Sequence, residues 1–473
     1  MRIEQIYTGC LAQGAYYIES EGEVAIIDPL REVQPYLDRT AAAEASIKYI
    51  FETHFHADFV SGHLDLAKKS GATIVYGPTA QTGFESHIAT DGEVFKVGKI
   101  SIVALHTPGH TMESTTYLLK DEFGNDHAIF TGDTLFLGDV GRPDLAQKAA
   151  HMTQEQLAGL LFDSLRNKIM PLDDSIIVYP GHGAGSACGK NMMKETVDTL
   201  GNQKHMNYAL RADMSRDEFI KEVTDGLAPP PAYFPENVMM NKTGYESIDE
   251  VMQHGLQALS ANAFEAAAEE TEALLLDTRD PQTFSKGHVP GSINIGLNGQ
   301  FAPWVGALIP GVRHPLLIIT DKGKEQEAIM RLARVGYDNV IGYLDGGIAA
   351  WEAANKEVDV VRSIEASELE EVLHQNPNAK VIDVRKEGEF VAEHVDGAVN
   401  LPLDFINDLM AEFPKEEMMY IHCQGGYRSM IAASILKARG YHHLVDVAGG
   451  YAAIKKTSGI TCTDYVCPTT LKK

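Results

Sequence analysis

The amino-acid sequence predicts a multidomain protein of α/β and α+β folds, in which one larger domain precedes two tandem copies of a smaller one. Three observations lead to this prediction. The 473 residues correspond to roughly three domains at about 150 residues each. Residues 274–295 and 380–401 repeat one pattern at a constant offset of 106 residues. Ten of the 18 histidines lie in the first 205 residues, outside that repeat.

The first domain, expected over residues 1–250, shows short strands that alternate with loops and a few helices. Apolar or β-branched runs that end at Pro, Gly, Asp or His predict strands. These runs lie at 23–27, 47–52, 72–76, 100–106 and 175–179, and residues 115–131 predict a hairpin. Apolar periodicity predicts helices at 153–166 and 191–212. A proline cluster at 229–235 is the expected tail of this domain.

The repeat defines the second and third domains, expected over 255–358 and 362–473. The matched positions are Asp277/Asp383, Arg279/Arg385, His288/His394, Gly291/Gly397 and Asn294/Asn400. Strand-like runs alternate with helical ones in both copies. This order predicts two small α/β domains with mostly parallel sheets.

Charge and cysteine content exclude several classes of protein. With 40 Lys and Arg against 66 Asp and Glu, the formal charge is −26. Nonspecific nucleic-acid binding requires basic clusters, and an anionic membrane surface repels an acidic protein. Five cysteines form no disulfide framework. We expect a cytoplasmic enzyme without a signal peptide or membrane span.

A group of histidines and aspartates has the pattern of a metal site. Residues 53–63 read THFHADFVSGH, so His54, His56 and Asp58 hang from the loop after a predicted strand. Downstream, His110, Asp133 and His182 each follow a strand beside a glycine, in TPGHT, FTGDT and YPGHG. Imidazole and carboxylate side chains at strand ends can converge on one cation in a cleft.

These stretches resemble the metallo-β-lactamase superfamily over about residues 1–245. The resemblance implies an αββα sandwich with metal at one sheet edge, and Asp28 matches a structural aspartate of that fold. Binuclear hydrolases such as glyoxalase II carry H-x-H-x-D-H, whose last histidine binds a second zinc. Here Phe59 stands at that position. Because phenylalanine cannot ligate a metal, we expect the second site to stay empty.

If only one metal ion binds, its expected ligands are two imidazoles and one carboxylate. This is the ligand set of oxygen-activating non-haem Fe(II). In this respect the sequence is similar to the persulfide dioxygenases. That resemblance implies that His54, His110 and Asp133 hold one Fe(II) per chain, which Zn²⁺ can replace during purification. It further implies that His56, Asp58 and His182 orient the ligands. The preference for His54 over His56 as a ligand rests on the resemblance.

The segment GDVGRPDL at 138–145 also resembles the persulfide dioxygenases. By that resemblance Arg142 helps to hold an anionic substrate. A structural salt bridge is an equally acceptable role for this arginine.

A possible thiol site lies in MMYIHCQGGYRS at 418–429. A predicted strand delivers Cys423 to a glycine-containing loop, and a helix follows Arg428. Successive backbone N–H groups at such a loop stabilise a thiolate or persulfide anion. The loop residues are Gln424, Gly425, Gly426, Tyr427 and Ser429.

The loop and its flanking motifs resemble the rhodanese family over about 362–460. By that resemblance Cys423 is the sulfur-carrying nucleophile and Arg428 anchors an anionic sulfur substrate. The C-x4-R spacing matches sulfurtransferases, whereas related phosphatases have C-x5-R. In the second domain Asp321 occupies the place of Cys423. We therefore predict an inactive rhodanese domain that serves as a scaffold or for docking.

The remaining cysteines carry less information. Cys188 lies six residues after His182, so it is a candidate redox thiol beside the metal, with a plain loop cysteine as the alternative. Cys462 and Cys467 form C-x4-C, which is half a zinc site, and Cys10 reads as part of a strand. We assign no function to these three.

The domain order resembles fused persulfide dioxygenase–sulfurtransferases. The resemblance implies that O2 oxidises a low-molecular-weight thiol persulfide to sulfite, and that Cys423 transfers sulfur to sulfite to give thiosulfate. The expected partners are a persulfide of glutathione, coenzyme A, bacillithiol or a similar thiol, and a homo-oligomer is expected. Two alternatives stay open. One is a glyoxalase II-like thiolester hydrolase with a rhodanese appendage, and the other is a non-catalytic persulfide carrier.

Overall fold

A computed structural model describes residues 1–467, so residues 468–473 of the expected third domain lie outside the described part. The chain divides into two compact units. The first comprises Met1–Glu250 together with Ala333–Gly336, and the second comprises Val251–Leu332 and the residues from Tyr337 onward.

Two six-stranded sheets form the centre of the first unit. The first sheet has the order β1-β2-β3-β4-β5-β6, and its strands are Arg2–Thr8 (β1), Gln13–Ser20 (β2), Glu23–Ile27 (β3), Ser46–Phe51 (β4), Thr73–Tyr76 (β5) and His87–Ile88 (β6). The second has the order β12-β11-β10-β9-β8-β7, and its strands are Val94–Val97 (β7), Ile100–His106 (β8), Thr115–Lys120 (β9), Asp126–Gly132 (β10), Ile177–Pro180 (β11) and Asp198–Thr199 (β12). The predicted strands and the antiparallel β9–β10 hairpin are confirmed.

Helices connect the strands of this unit. They are Gln34–Ala42 (α1), His63–Ser70 (α2), Gln147–Ala150 (α3), Gln154–Ser164 (α4), Leu200–Met206 (α5), Arg216–Thr224 (α6) and Phe234–Thr243 (α7), and Ile248–Gly255 (α8) begins in this unit and ends in the second. A π-helical turn at Leu165–Ile169 extends α4, and Tyr208–Leu210 is a 3-10 turn. The side chain of Thr153 and that of Gln156 form a capping box that starts α4.

Aromatic side chains fill the layer between the sheets. The ring of Phe51 lies 4.7 Å from that of Tyr117, and the rings of Tyr16 and Phe130 are 4.9 Å apart. Separate apolar clusters lie outside each sheet, where α1 and α2 pack on the first and α4 and α6 on the second. The four layers are therefore α/β/β/α, as predicted.

The predicted helix at 191–212 is wrong for most of its length. Asp198–Thr199 pairs with β11 as a strand, and the Thr199 side chain caps α5. At the other end Asn207 leaves the helix, because its amide donates hydrogen bonds to the carbonyls of Phe136 and Asp139. Apolar periodicity shows neither of these long-range contacts.

The second unit contains the two repeats, each with a five-stranded parallel sheet. The first repeat has the order β13-β17-β16-β14-β15, with strands Ala258–Leu259 (β13), Leu274–Asp277 (β14), Ile293–Asn294 (β15), Leu316–Ile319 (β16) and Val340–Leu344 (β17). The second has the matching order β18-β22-β21-β19-β20, with strands Ser363–Ile364 (β18), Lys380–Asp383 (β19), Val399–Asn400 (β20), Met419–His422 (β21) and Leu444–Val447 (β22).

Short helices connect these strands. In the first repeat they are Ala261–Thr271 (α9), Pro281–Lys286 (α10), Phe301–Leu308 (α11), Glu325–Ala333 (α12) and Gly347–Ala353 (α13). In the second they are Ala366–Gln375 (α14), Glu387–Ala392 (α15), Tyr427–Ala438 (α16) and Gly450–Ile454 (α17), with 3-10 turns at Leu403–Phe405 and Met410–Glu412. The predicted pair of small parallel α/β folds is confirmed. Within residues 1–467, no helix is both long and apolar enough to cross a bilayer.

Candidate metal centre and sulfur-transfer loop

The six metal-site residues predicted from the sequence all lie at strand ends in the first unit. His54, His56 and Asp58 follow β4, and His110 follows β8. Asp133 follows β10 and His182 follows β11. Every one of these side chains is buried. The two sheets thus bring residues that are up to 128 positions apart into one cluster.

His54, His110 and Asp133 form the first ligand group, whose donor atoms lie within 4.8 Å of one another. Asp133 Oδ2 is 3.9 Å from His54 Nε2 and 3.5 Å from His110 Nε2. Neither oxygen of Asp133 has a hydrogen-bond partner among the described residues, although both are buried. Because burying a carboxylate without a partner is costly, these orphaned oxygens fit a bound cation.

Hydrogen bonds set the orientation of both imidazoles. His110 Nδ1 lies 2.9 Å from the carbonyl oxygen of Arg142 and donates to it, so Nε2 is the ring nitrogen that faces Asp133. His54 Nδ1 is 3.0 Å from Thr53 Oγ1, whose own proton goes to Asp28 Oδ2 at 2.8 Å. Burial lowers the pKa of His54 well below its ordinary value. The neutral ring with a bare Nε2 is the form that binds a metal.

A second ligand group, which shares Asp133 with the first, consists of Asp133, His182 and Cys188. His182 Nε2 is 3.4 Å from Asp58 Oδ2 and 3.6 Å from Asp133 Oδ1. The donor atoms of Asp133, His182 and Cys188 also lie within 4.8 Å of one another. Cys188 is therefore buried beside the metal-site residues, and burial together with the charges of Asp58 and Asp133 raises the pKa of its thiol well above the ordinary value. Its redox role stays a prediction.

His56 lies between the ligand groups and a buried acidic pair. Its Nε2 is 3.1 Å from Asp28 Oδ1 and 3.4 Å from Glu52 Oε2. Burial alone lowers the pKa of His56, but these carboxylates raise it well above its ordinary value. The ring of Phe59 is fully buried and lies 4.3 Å from that of His56. An apolar ring therefore occupies the position at which the binuclear hydrolases have the histidine that binds a second zinc.

Arg142 forms the structural salt bridge that the sequence left open. Its Nε and Nη2 each lie 2.7 Å from a carboxylate oxygen of Asp144. Nη1 and Nη2 also donate to the carbonyls of Ala187 and Ala228. The guanidinium is thus engaged within the protein, and contact with a substrate stays a prediction.

Sequence reasoning missed the residues that hold the metal-binding loop in place. Asn241 of α7 donates to the carbonyls of His56 and Phe59, both at 2.8 Å, and accepts from the Ser61 backbone at 2.9 Å. Glu113 accepts the backbone N–H of Phe55 at 3.0 Å. These contacts join positions far apart in the chain, and no local motif marks them.

The sulfur-transfer loop lies between β21 and α16 in the second unit. Cys423 is buried, and its Sγ accepts a hydrogen bond from the Gly426 backbone N–H at 3.1 Å. Gly426 has a φ of +97°, a conformation that favours glycine. Tyr451 N–H donates to the Cys423 carbonyl at 2.7 Å, and Ala452 N–H donates to that of Gln424 at 3.0 Å. The loop thus directs a backbone donor at the sulfur.

The other predicted loop residues differ in their surroundings. Gln424 and Gly425 are exposed. The guanidinium of Arg428 forms a two-point ion pair with Glu389, at 2.6 and 2.8 Å. Its predicted role as an anion anchor stays a prediction. Ser429 is buried and donates to Asp446 at 2.7 Å.

Asp321 stands at the matching position of the first repeat, directly after the strand β16 and Thr320. Residues 321–324 of this loop are exposed. A carboxylate cannot carry sulfane sulfur, so the arrangement agrees with the predicted inactive domain, whose lack of activity stays a prediction.

Comparisons with known proteins match this geometry. The family model of the metallo-beta-lactamase superfamily matches residues 8–182, and that of the rhodanese-like domain matches 260–354 and 365–457. The crystal structure of a metallo-beta-lactamase from Staphylococcus aureus is 31% identical, with a TM-score of 0.64, and the match covers 73% of this chain and 98% of that one. The chain belongs to the metallo-beta-lactamase superfamily. Its two further domains are rhodanese-like, so the predicted resemblance and fold are confirmed.

The curated relatives of this metallo-beta-lactamase superfamily chain include hydrolases and a persulfide dioxygenase. A probable hydroxyacylglutathione hydrolase of Schizosaccharomyces pombe is 34% identical over 35% of this chain and 60% of its own length. The mitochondrial persulfide dioxygenase ETHE1 of Homo sapiens is 29% identical over 44% of this chain and 74% of its own length. The chain thus spans about three fifths of the first of these relatives. The comparisons support a metal-binding enzyme of this superfamily joined to rhodanese domains.

Proposed function

We propose that the chain is an iron-dependent persulfide dioxygenase joined to a sulfurtransferase. One observation carries the proposal. Two imidazoles and one carboxylate form a buried three-residue ligand group, and the same chain presents Cys423 beneath a backbone donor. Two imidazoles with one carboxylate are the ligand set of oxygen-activating Fe(II) enzymes. The relationship to ETHE1 supports the same assignment.

His54, His110 and Asp133 would hold one Fe(II) per chain. Bound there, ferrous iron would supply the activation of O2. Burial of the three ligands keeps bulk water from the reacting groups. The Arg142 carbonyl and Thr53 hydroxyl fix the tautomers of the imidazoles, so that both bare nitrogens face the Asp133 carboxylate.

The proposed oxidation balances with one water molecule. A thiol persulfide reacts as RSSH + O2 + H2O → RSH + SO3²⁻ + 2 H⁺. The sulfane sulfur loses its bond to the carrier sulfur and is oxidised, while O2 is reduced. The products are sulfite and the free thiol.

Sulfur transfer through Cys423 uses a second persulfide. The Cys423 thiolate attacks the sulfane sulfur of RSSH, which forms the Cys423 persulfide anion and releases RSH. Sulfite then attacks the outer sulfur, which forms thiosulfate and regenerates the Cys423 thiolate. No oxidant is needed in either step. The Gly426 N–H, 3.1 Å from Sγ, stabilises the anionic sulfur in both.

The experiment that tests this proposal is oxygen uptake on thiol persulfides by matched variants. We expect His54→Ala and Asp133→Ala to lose oxygen uptake and bound iron together, because each removes one of three ligands. His127→Ala is the matched control, since this half-buried histidine lies on β10 outside both ligand groups. Full oxygen uptake in His54→Ala or Asp133→Ala would contradict the assignment.

A second candidate function is a two-metal thiolester hydrolase. The hydrolase names among the relatives favour it, as does the second ligand group of Asp133, His182 and Cys188. Phe59 weighs against it, because that position lacks the second imidazole. Two metals per chain and cleavage of S-lactoylglutathione would support the hydrolase.

The thiol carrier and the oligomeric state stay predictions. The third candidate, a non-catalytic persulfide carrier, would use Cys423 alone. It predicts a chain without bound metal after anaerobic purification.

A further inference from the structure

The sulfur-transfer loop has two flanks, one of which contacts its own domain and the other the inactive domain. On that side the first turn of α17 donates backbone N–H groups to the carbonyls of Cys423 and Gln424. A side chain added at Gly450 would lie 2.4 Å from the Cys423 carbonyl oxygen, so α17 and the loop are in direct backbone contact. The other flank is Tyr427, the residue between Gly426 and Arg428.

Tyr427 is held by the inactive domain. Its hydroxyl donates to the Gly296 carbonyl at 2.7 Å. Its ring lies against the backbone of Gly299, where an added Cβ would be 2.5 Å from Tyr427 Cζ. Burial raises the pKa of Tyr427, so the phenol keeps its proton and remains a donor. The 296–299 segment is therefore shaped to accept this aromatic ring.

The 296–299 segment is itself fixed within the inactive domain. Leu297 N–H donates to the Thr278 carbonyl at 3.0 Å, just after β14. Arg331 of α12 donates to the Leu297 carbonyl at 2.7 Å. The Arg331 guanidinium also lies over the buried ring of Phe301, 5.7 Å from its centroid. The segment is thus tied to a strand and a helix of that domain.

Two further contacts join α16 to the inactive domain. Buried Asp446 accepts from Ser429, in the first turn of α16, and from Gln282 of the inactive domain at 3.3 Å. Ser434, farther along α16, accepts the backbone N–H of Asn294 at 2.9 Å. Helix α16 is therefore bonded to the inactive domain at two positions, through Asp446 at its first turn and directly at Ser434.

We propose that the inactive rhodanese domain is a working part of the sulfur-transfer site. The 296–299 segment seats Tyr427, and the seated Tyr427 holds Gly426 so that its N–H is directed at Cys423 Sγ. Tyr427 is thus a positioning residue, since it acts on the sulfur through the loop backbone. This inference rests on the proposed role of Cys423 and gives a function to a domain without a sulfur-carrying residue.

The test is the pH dependence of Cys423 alkylation by iodoacetamide in the full chain, followed by mass spectrometry of the peptide that contains Cys423. Gly299→Ala is the main variant, because its methyl displaces the Tyr427 ring while the Gly299 backbone needs no left-handed conformation. We expect alkylation at pH 7 to fall about tenfold, because the anionic sulfur loses a backbone donor. Alkylation at pH 10, which lies above the reference pKa of a cysteine thiol, should not fall. A loss of stability alone would not produce this dependence on pH.

Tyr427→Phe keeps the ring and removes the hydroxyl bond to Gly296, so a smaller fall of about threefold is expected at pH 7. Gly388→Ala is the control, since a methyl at this glycine of α15 meets no atom within 4 Å. If Gly299→Ala fails to fold, Tyr427→Phe decides the question.

An alkylation profile in Gly299→Ala and Tyr427→Phe that matches Gly388→Ala would overturn the inference. A wild-type chain that forms no thiosulfate would instead refute the proposed function. Alkylation requires only the Cys423 thiol, so the two failures are distinguishable.

Discussion

The two rhodanese-like domains share one frame, which we define as a buried Asp–Arg ion pair together with an Asn side chain that bonds to the backbone of both residues. In the first, Arg279 turns back onto buried Asp277, with 2.5 Å between Nη2 and Oδ2. In the second, Arg385 makes the same contact with Asp383 at 2.6 Å. An amide in each domain, Asn294 or Asn400, donates to the two carbonyls of the corresponding Asp and Arg.

A stacked pair repeats as well. Phe284 lies 3.9 Å from His288 in the first domain, and Phe390 lies 3.8 Å from His394 in the second. These motifs carried the sequence repeat, and all of them lie outside the loop that bears Cys423. These repeated positions therefore indicate the shared fold and do not indicate whether a domain transfers sulfur.

The difference between the domains lies in the loop after the middle strand of each sheet. In the domain that bears Cys423, α17 touches the loop backbone, since a Cβ at Gly450 would be 2.4 Å from the Cys423 carbonyl. In the domain that bears Asp321, a Cβ at Gly347 would be 3.4 Å from the Thr320 carbonyl, and residues 321–324 are exposed. The two domains thus keep the same fold and differ at this loop.

Removal of the thiol should have the largest effect. We expect Cys423→Ser to lower thiosulfate formation by more than about 100-fold, because a hydroxyl cannot carry sulfane sulfur. Oxygen uptake should persist, with sulfite as the product. Ion chromatography of both anions beside an oxygen electrode measures this, and an unchanged thiosulfate yield would refute the coupling.

The shared frame should respond equally in both domains. Arg279→Ala and Arg385→Ala each leave a buried aspartate without its partner, so each should lower the free energy of unfolding by about 3 kcal/mol. Urea unfolding monitored by circular dichroism measures the change. A cost below about 1 kcal/mol in only one domain would show that the frames differ.

The stacked histidine of the first rhodanese-like domain, His288, offers a test with pH. Burial lowers the pKa of His288 from 6.5 to about 4. The unfolded chain therefore takes up this proton first as the pH falls, so the stabilising contribution is complete above pH 6.5 and is lost between 6.5 and about 4.

His288→Asn keeps a donor for the Phe284 carbonyl and removes the titration. We expect the variant to lose less stability than the wild type between pH 7.5 and pH 5 in urea unfolding. His374→Asn, at an exposed position of α14, should behave like the wild type. An unchanged pH dependence in His288→Asn would contradict the assignment.

Restoring a thiol to the inactive domain should have the smallest effect. Asp321→Cys, made in the Cys423→Ser background, should form no thiosulfate above background. Its loop lacks the second glycine and the arginine at C-x4-R spacing. Thiosulfate formation in this double variant would show that the cysteine alone separates the two domains.

The sequence predicted what strand order and spacing determine. Side chains that follow strands meet at one edge of the sheets, so the six histidines and aspartates of the metal site were expected together. The choice of His54, His110 and Asp133 among them came from the family resemblance, and the structure brings these three together as one group. Contacts between distant side chains were not predictable, because no local pattern marks them. Asn241 on the metal-binding loop and Tyr427 on Gly299 are two such contacts. The predicted helix at 191–212 is wrong for the same reason, because long-range contacts of Asp198–Thr199 and Asn207 replace much of it.

The central claim is that one iron site oxidises persulfide sulfur. The most direct measurement is metal content of the anaerobically purified chain, combined with oxygen uptake on persulfides of glutathione, coenzyme A and bacillithiol. The account predicts one iron per chain and oxygen consumption with at least one of these persulfides. Two metals per chain, with cleavage of S-lactoylglutathione and no oxygen consumption, would contradict it.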